Sequence, residues 1–192
     1  MRPIWTNRSI LMKVFISGGC KNGKSYHAQR LAKARQSRPL YYIATMSPAD
    51  AEDEERIARH RRDRAGWGFA TVEQPAAIEG ILDKCDPRGS FLLDSLTALL
   101  AGEMFPPGGG ADPLAAARVL RGLMRVLDEI DDIVIVSDYI FSDAETFGPQ
   151  TESFRKSLAE IGCAAAERCD VVLEASYANV IVHKGEGYHI NI

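Results

Sequence analysis

Residues 15–25 read FISGGCKNGKS, and the fold is decided there. Gly18, four residues (Gly19, Cys20, Lys21 and Asn22) and then Gly23-Lys24-Ser25 follow the spacing of a phosphate-binding P-loop. The setting is the one this motif requires. A short apolar run, MKVFIS at 12–17, precedes the loop, and a helical stretch over 24–36 follows it. Glycines let backbone N–H groups converge on phosphate oxygens, and the start of the helix adds partial positive charge. Lys24 suits the β/γ region of a nucleoside triphosphate, and the Ser25 hydroxyl suits Mg²⁺.

Outward from the loop, short apolar runs alternate with longer helical stretches. PLYYIAT (39–45), SFLLDSL (90–96), DIVIVSD (132–138) and DVVLEAS (170–176) are continuously apolar rather than alternating. Strands buried on both faces of a parallel sheet have that composition. GFATVE (68–73) is a weaker strand, and NVIVHKG (179–185) with the following GYHINI predicts a closing hairpin. Helices are predicted over 24–36, 50–65, 75–84, 96–105, 113–130 and 151–168, with FPPGGGADP (105–113) as a surface loop. Together these predict a three-layer α/β sandwich like that of P-loop NTPases, with a mostly parallel sheet and a C-terminal β-hairpin.

The 192 residues suit one domain with a substantial core, and residues 1–11 form a dispensable extension if translation starts at Met12. A net charge of −3 gives no ground for a nucleic-acid partner or a membrane surface. No apolar run approaches the roughly 20 residues of a membrane span. Cys20, Cys85, Cys163 and Cys169 have neither metal-ligand spacing nor a dense framework, so a reduced, cytoplasmic protein is expected.

Two further features bear on chemistry. Asp94 ends the apolar run FLL, where P-loop enzymes carry an acid that helps hold Mg²⁺; a helix N-cap is the other reading, since DSLTALL opens a helix. EDEERIARHRRDR (52–64) places Glu52, Arg56, His60 and Arg64 at i, i+4 spacing on one side of a helix. That is the pattern of a solvated, ion-paired surface helix. It also suits a nucleophilic or acid/base His60 among arginines, because cations lower an imidazole's pKa and receive phosphate. Sequence spacing does not choose between the two.

GGCKNGKS, YYIATMS after the second strand, and RIARHR together resemble the adenosylcobinamide kinase/adenosylcobinamide-phosphate guanylyltransferase family. The resemblance implies a P-loop enzyme of cobamide assembly, commonly a homotrimer, using GTP or ATP with Mg²⁺. Its substrates would be a corrinoid, adenosylcobinamide, and its phosphate. It implies phosphorylation of the corrinoid's hydroxyl, then GMP transfer through a guanylyl-histidine at His60. Gly18 to Ser25 would hold the triphosphate, and Ala44, Thr45 and Met46 would line the site. Arg61, Arg62, Asp63 and Arg64 would contact nucleotide, as would the acids Glu73 and Asp94, with Ser25 and Asp94 on the metal.

The second half departs from the family pattern. Gly102 replaces an Asn, Ser137-Asp138-Tyr139-Ile140-Phe141 stands where Ser/Thr-Asn-Glu-Val-Gly is usual, and FRKSLAEIG (154–162) lacks an Asp. A P-loop kinase or nucleotidyltransferase with another acceptor, and a nucleotide-binding regulator without turnover, are the alternative readings. Retention of both Lys24 and His60 favours an enzyme, since binding alone needs only the lysine.

Overall fold

A computed structural model describes residues 11–34, 39–48, 54–55, 57–58, 61–62, 64–142, 144–177 and 179–185. Among them a seven-stranded sheet is formed by β1 (Lys13–Gly18), β2 (Leu40–Ala44), β3 (Ala70–Glu73), β4 (Ser90–Asp94), β5 (Ile133–Asp138), β6 (Val171–Ser176) and β7 (Asn179–Lys184). Its order is β3-β2-β4-β5-β1-β6-β7, parallel throughout except for antiparallel β7. The helices are α1 (Lys24–Lys33), α2 (Leu96–Met104), α3 (Ala115–Glu129) and α4 (Pro149–Arg168), with a 3₁₀ helix at Ile78–Asp83. None is long and apolar enough to cross a membrane.

The continuous apolar runs become strands because both of their faces are covered. Along β1, Val14 and Ile16 pack toward α1 residues Ala28 and Ala32, whereas Phe15 packs into the opposite cluster with α2, α3 and α4. Leu92 against Phe91 and Leu93, and Val134 and Val136 against Ile133 and Ile135, divide in the same way. Helix α3 shows what the thicker layer demands. Its buried residues, Ala115, Val119, Gly122, Leu123, Val126 and Leu127, form one stripe at three- and four-residue spacing.

Two sequence expectations change in form. The stretch 75–84 is a 3₁₀ helix over Ile78–Asp83 rather than an α-helix. Residues three apart eclipse in a 3₁₀ helix, so Ile78 and Ile81 are buried together. Gly122 of α3 lets this element approach, since a Cβ there would run into the Glu79 carboxylate and sit 3.1 Å from Ile78. The C-terminal hairpin is β6–β7, turning at Tyr177 in the left-handed region, while GYHINI lies outside the described residues. Lys184 of β7 donates to the carbonyls of Ala166, Glu167 and Cys169, capping the C-terminus of α4.

The strand order positions the site. From β1 the chain crosses by α1 to β2, three places to one side; from β5 it crosses by α4 to β6, on the other side of β1. Ligand crevices of open α/β sheets lie at the carboxyl strand ends where the winding reverses, which here is the end of β1. Leu123 tests the layer that holds this arrangement. Leu123→Ala should cost about 2–5 kcal/mol, read as a lower urea midpoint with an unchanged denaturant slope.

Candidate functional site

The P-loop spans the end of β1 to the start of α1. A Cβ on Gly18 would lie 2.5 Å from the Ala175 carbonyl and collide with the Asn22 amide, so the close approach of β6 requires glycine. Gly23 (φ 87°) and Lys21 (φ 56°) occupy the left-handed region and turn the loop back over itself. The Asn22 side chain fastens the loop at both ends, donating to the Ala175 carbonyl and accepting from the Lys24 N–H at 3.2 Å. Gly19 and the exposed Cys20 lie between these anchors.

Lys24 is folded inward. Its Nζ donates to the Gly19 carbonyl at 3.1 Å and pairs with Asp138 Oδ1 at 2.6 Å. Asp138 is itself clamped, its N–H donating to Thr97 Oγ1 at 2.9 Å while the Tyr139 N–H donates to the Gly18 carbonyl at 2.8 Å. The Ser25 hydroxyl lies 3.5 Å from Asp94 Oδ1. Neighbouring ligands of an octahedral Mg²⁺ at about 2.1 Å are separated by roughly 3 Å, so the pair fits one such ion. Among the described residues no group of three or more His, Cys, Asp or Glu side chains could hold a metal. A two-residue site completed by phosphates and water is how Mg²⁺ is usually held.

Beside the loop, at the ends of β2, β3 and β4, is a cavity of about 380 Å³. Ala44, Met46, Ile57, Ala58 and Ala98 contribute to its apolar surface, and Glu54, Arg61, Arg64, Glu73 and Asp94 form its charged one. Arg61 pairs with Glu73. Arg64 stacks its guanidinium 3.8 Å over the Tyr42 ring and donates to Thr71 Oγ1 at 3.3 Å. Burial draws the Arg64 pKa down, with Tyr42 and Asp94 opposing. Tyr42 donates its hydroxyl to Asp94 Oδ2 at 2.9 Å. Burial first, then the Asp94 charge and this hydrogen bond, push the phenol's pKa up, so it stays protonated and remains a donor. Ser95 caps α2, accepting from the Ala98 N–H, and turns that helix's positive end toward the cavity.

Most of the residues singled out from sequence thus come together. Ser25, next to Lys24 in the loop, is joined through Asp94 to the cavity that Ala44, Met46, Arg61, Arg64 and Glu73 line. Thr45 does not line it: its hydroxyl donates to the Ser95 carbonyl and accepts the Ser95 N–H, both at 2.7 Å, bracing β2 against the end of β4. Arg62 is helical and exposed, away from the cavity lining. His60 and Asp63 lie outside the described residues. Asp94 does not cap α2, a task that falls to Ser95. Sequence reasoning missed the partner of Lys24, Asp138, although the signal that flagged Asp94, an acid ending a buried strand, applies equally to it. It also missed Tyr42, whose even position in β2 puts it on the α1 face of the sheet.

A strand-to-helix glycine loop with Lys24, Ser25 and a strand-end acid on a mostly parallel sheet defines a P-loop nucleotide-binding α/β protein. Solved structures agree on the fold: the flagellar accessory protein FlaH from Methanocaldococcus jannaschii (TM-score 0.51, 11% identity, 94% of this chain and 82% of that one) and a solved ATPase domain (TM-score 0.50, 15% identity, 94% and 79%). The chain belongs to the CobU family, cobinamide kinase / cobinamide phosphate guanyltransferase, whose sequence model matches residues 14–177. It is 31% identical over 164 residues to the bifunctional adenosylcobalamin biosynthesis protein CobP of Pseudomonas aeruginosa, covering 84% of this chain and 91% of that protein. With the bifunctional adenosylcobalamin biosynthesis protein CobU of Escherichia coli the identity is 32% over 103 residues, 53% of this chain and 55% of the relative.

Tyr42→Phe tests the link between loop and cavity, since it keeps the ring beneath Arg64 and deletes the donor to Asp94. One hydrogen bond of about 1 kcal/mol should appear as a several-fold loss of Mg²⁺-dependent GTP affinity in calorimetry. An unchanged Mg²⁺ dependence would show that Asp94 needs no such orientation.

Proposed function

We propose that this chain phosphorylates adenosylcobinamide with GTP or ATP and then transfers GMP from GTP to the phosphate formed, through a guanylyl intermediate on His60. The observation that carries this reading is Asp94, whose two oxygens face the P-loop serine and the cavity tyrosine. A triphosphate held at Gly18 to Ser25 therefore has a cavity of small-molecule size immediately beside it.

In the first step the hydroxyl oxygen of the corrinoid side chain attacks the γ-phosphorus. The bond to the bridging oxygen breaks, and the nucleoside diphosphate leaves. Lys24 and the loop N–H groups receive the charge that moves onto the β-phosphate. Mg²⁺ held by Ser25 and Asp94 would neutralise charge on the β- and γ-oxygens. In the second step the imidazole of His60 attacks the α-phosphorus of GTP and pyrophosphate leaves. The corrinoid phosphate then attacks the phosphoramidate, releases the histidine and takes the GMP.

Ala58 and Arg61, which flank His60 in sequence, line the cavity, and this supports the histidine's role. Arg61 and Arg64 are the cations suited to the α-phosphate oxygens. Because Arg61 pairs with Glu73 in the free protein, nucleotide would exchange one anionic partner for another.

The test is covalent labelling. GTP labelled at the α-phosphate should leave acid-labile, alkali-stable radioactivity on the protein, and γ-labelled GTP should leave none. His60→Ala should lose the label while still binding GTP. A GMP adduct on the peptide containing His60 would establish the intermediate; no adduct during turnover would eliminate it.

A further inference from the structure

We propose that Asp138 is an internal competitor of the triphosphate: it occupies Lys24 in the free protein and, as a fixed negative charge beside the cradle, holds nucleotide affinity down. The inference rests on the reading of Gly18 to Ser25 as a triphosphate cradle and concerns what sets the strength of binding there.

Asp138 stands where the family pattern usually has Asn. The two side chains have the same shape and differ in charge. An Asn can accept from a lysine through its carbonyl and donate through its amide, whereas an ionised Asp only accepts. The exchange turns a neutral neighbour of the phosphate lysine into an anionic one.

The fold keeps that anion in place. Asp138 ends β5 on the strand beside β1, in register with Gly18, the first glycine of the loop. Its Oδ1 is 2.6 Å from Lys24 Nζ, which also donates to the Gly19 carbonyl at 3.1 Å. The Asp138 N–H is held by Thr97 Oγ1 and the Tyr139 N–H by the Gly18 carbonyl, so the backbone that carries the carboxylate is pinned to the loop. With its side chain 28% exposed, the charge is only partly solvated. Arg155, which reaches the same segment, is engaged by the Ile140 carbonyl and by Glu152.

A triphosphate brings anionic oxygens to the same ammonium, at about 2.8 Å. Lys24 can meet them in two ways. It can keep Asp138 on one donor and give another to phosphate, and the carboxylate then lies no more than about 5.4 Å from the phosphate oxygen. Two anions share one cation in that arrangement. Alternatively Lys24 turns from carboxylate to phosphate and leaves a partly buried Asp138 without its partner. Both oppose binding. The ordering of Lys24 by an acceptor at position 138 is a separate, favourable contribution, and a neutral acceptor of the same shape would retain it. The charge of Asp138 is therefore a cost to nucleotide binding that its shape is not.

Calorimetry on the full-length protein with Mg²⁺-GTP and with GMP tests this. Asp138→Asn should bind Mg²⁺-GTP roughly 5- to 50-fold more tightly, a Coulombic effect at this separation discounted for solvent and salt. GMP has no β- or γ-phosphate to reach Lys24, and its affinity should change by less than about twofold. Asp138→Ser, which also removes the charge, should shift GTP binding in the same direction. The urea midpoint of free Asp138→Asn should fall, because the ion pair belongs to the empty state. A carboxylate that served to aim Lys24 at phosphate would give the opposite sign, weaker GTP binding in both variants. Unchanged or weaker GTP binding in Asp138→Asn, or an equal gain for GTP and GMP, overturns the proposal. The cradle reading fails separately, and shows itself as equal GTP affinity in the wild type and Lys24→Ala.

Discussion

A buried ammonium is tolerated only with partners, and the P-loop of this protein is built around that constraint. Lys24 begins α1 facing inward, 10% exposed, and is satisfied by the Gly19 carbonyl and the Asp138 carboxylate. The pairing needs β5 beside β1, which the sheet order supplies. It also needs the end of β5 fixed, which the Thr97 hydroxyl and the Gly18 carbonyl accomplish. The cradle is therefore preformed: its lysine is aimed before any phosphate arrives, and the entropy of ordering it is already spent.

The same logic runs along the sheet edge. Each strand-end carboxylate holds a donor: Asp138 holds Lys24, Asp94 holds Tyr42 and Glu73 holds Arg61. Tyr42 carries Arg64 on its ring, so Asp94 is coupled to a cation at one remove. Thr45 and Ser95 lock the ends of β2 and β4 together and aim the start of α2 at the cavity. Cations held over acids on a rigid edge can meet phosphates without moving the sheet. The two successive reactions proposed for a bound triphosphate, one at the γ- and one at the α-phosphorus, would use that kind of surface.

The fold was legible because its signals are local and strong. A glycine loop between an apolar strand and a helix admits few alternatives, and continuous apolar runs mark strands covered on both faces. The predicted helix at 75–84 became 3₁₀ because Ile78 and Ile81 are buried by tertiary contact with α3, which local composition does not report. The site was legible where motif and geometry coincide, at Lys24, Ser25 and Asp94. The contacts of Asp138 and Tyr42 emerged only with the strand order, since what they touch is 114 and 52 residues away in the chain. The charged stretch at 52–64 was ambiguous for a physical reason: a solvated ion-paired helix and a phosphate-binding one have the same composition. Arg61 and Arg64 face the cavity and Arg62 does not, a distinction carried by helical phase and tertiary contact rather than residue type.

The most direct test of the central claim is calorimetric titration of Lys24→Ala with GTP in the presence and absence of Mg²⁺, beside the wild type and with matched circular dichroism. Loss of one charge-assisted contact of about 1.5–3 kcal/mol predicts affinity roughly 10- to 150-fold weaker with the fold intact. Equal affinity in a folded Lys24→Ala protein would contradict the account, because the triphosphate would then be bound somewhere other than the cradle at Gly18 to Ser25.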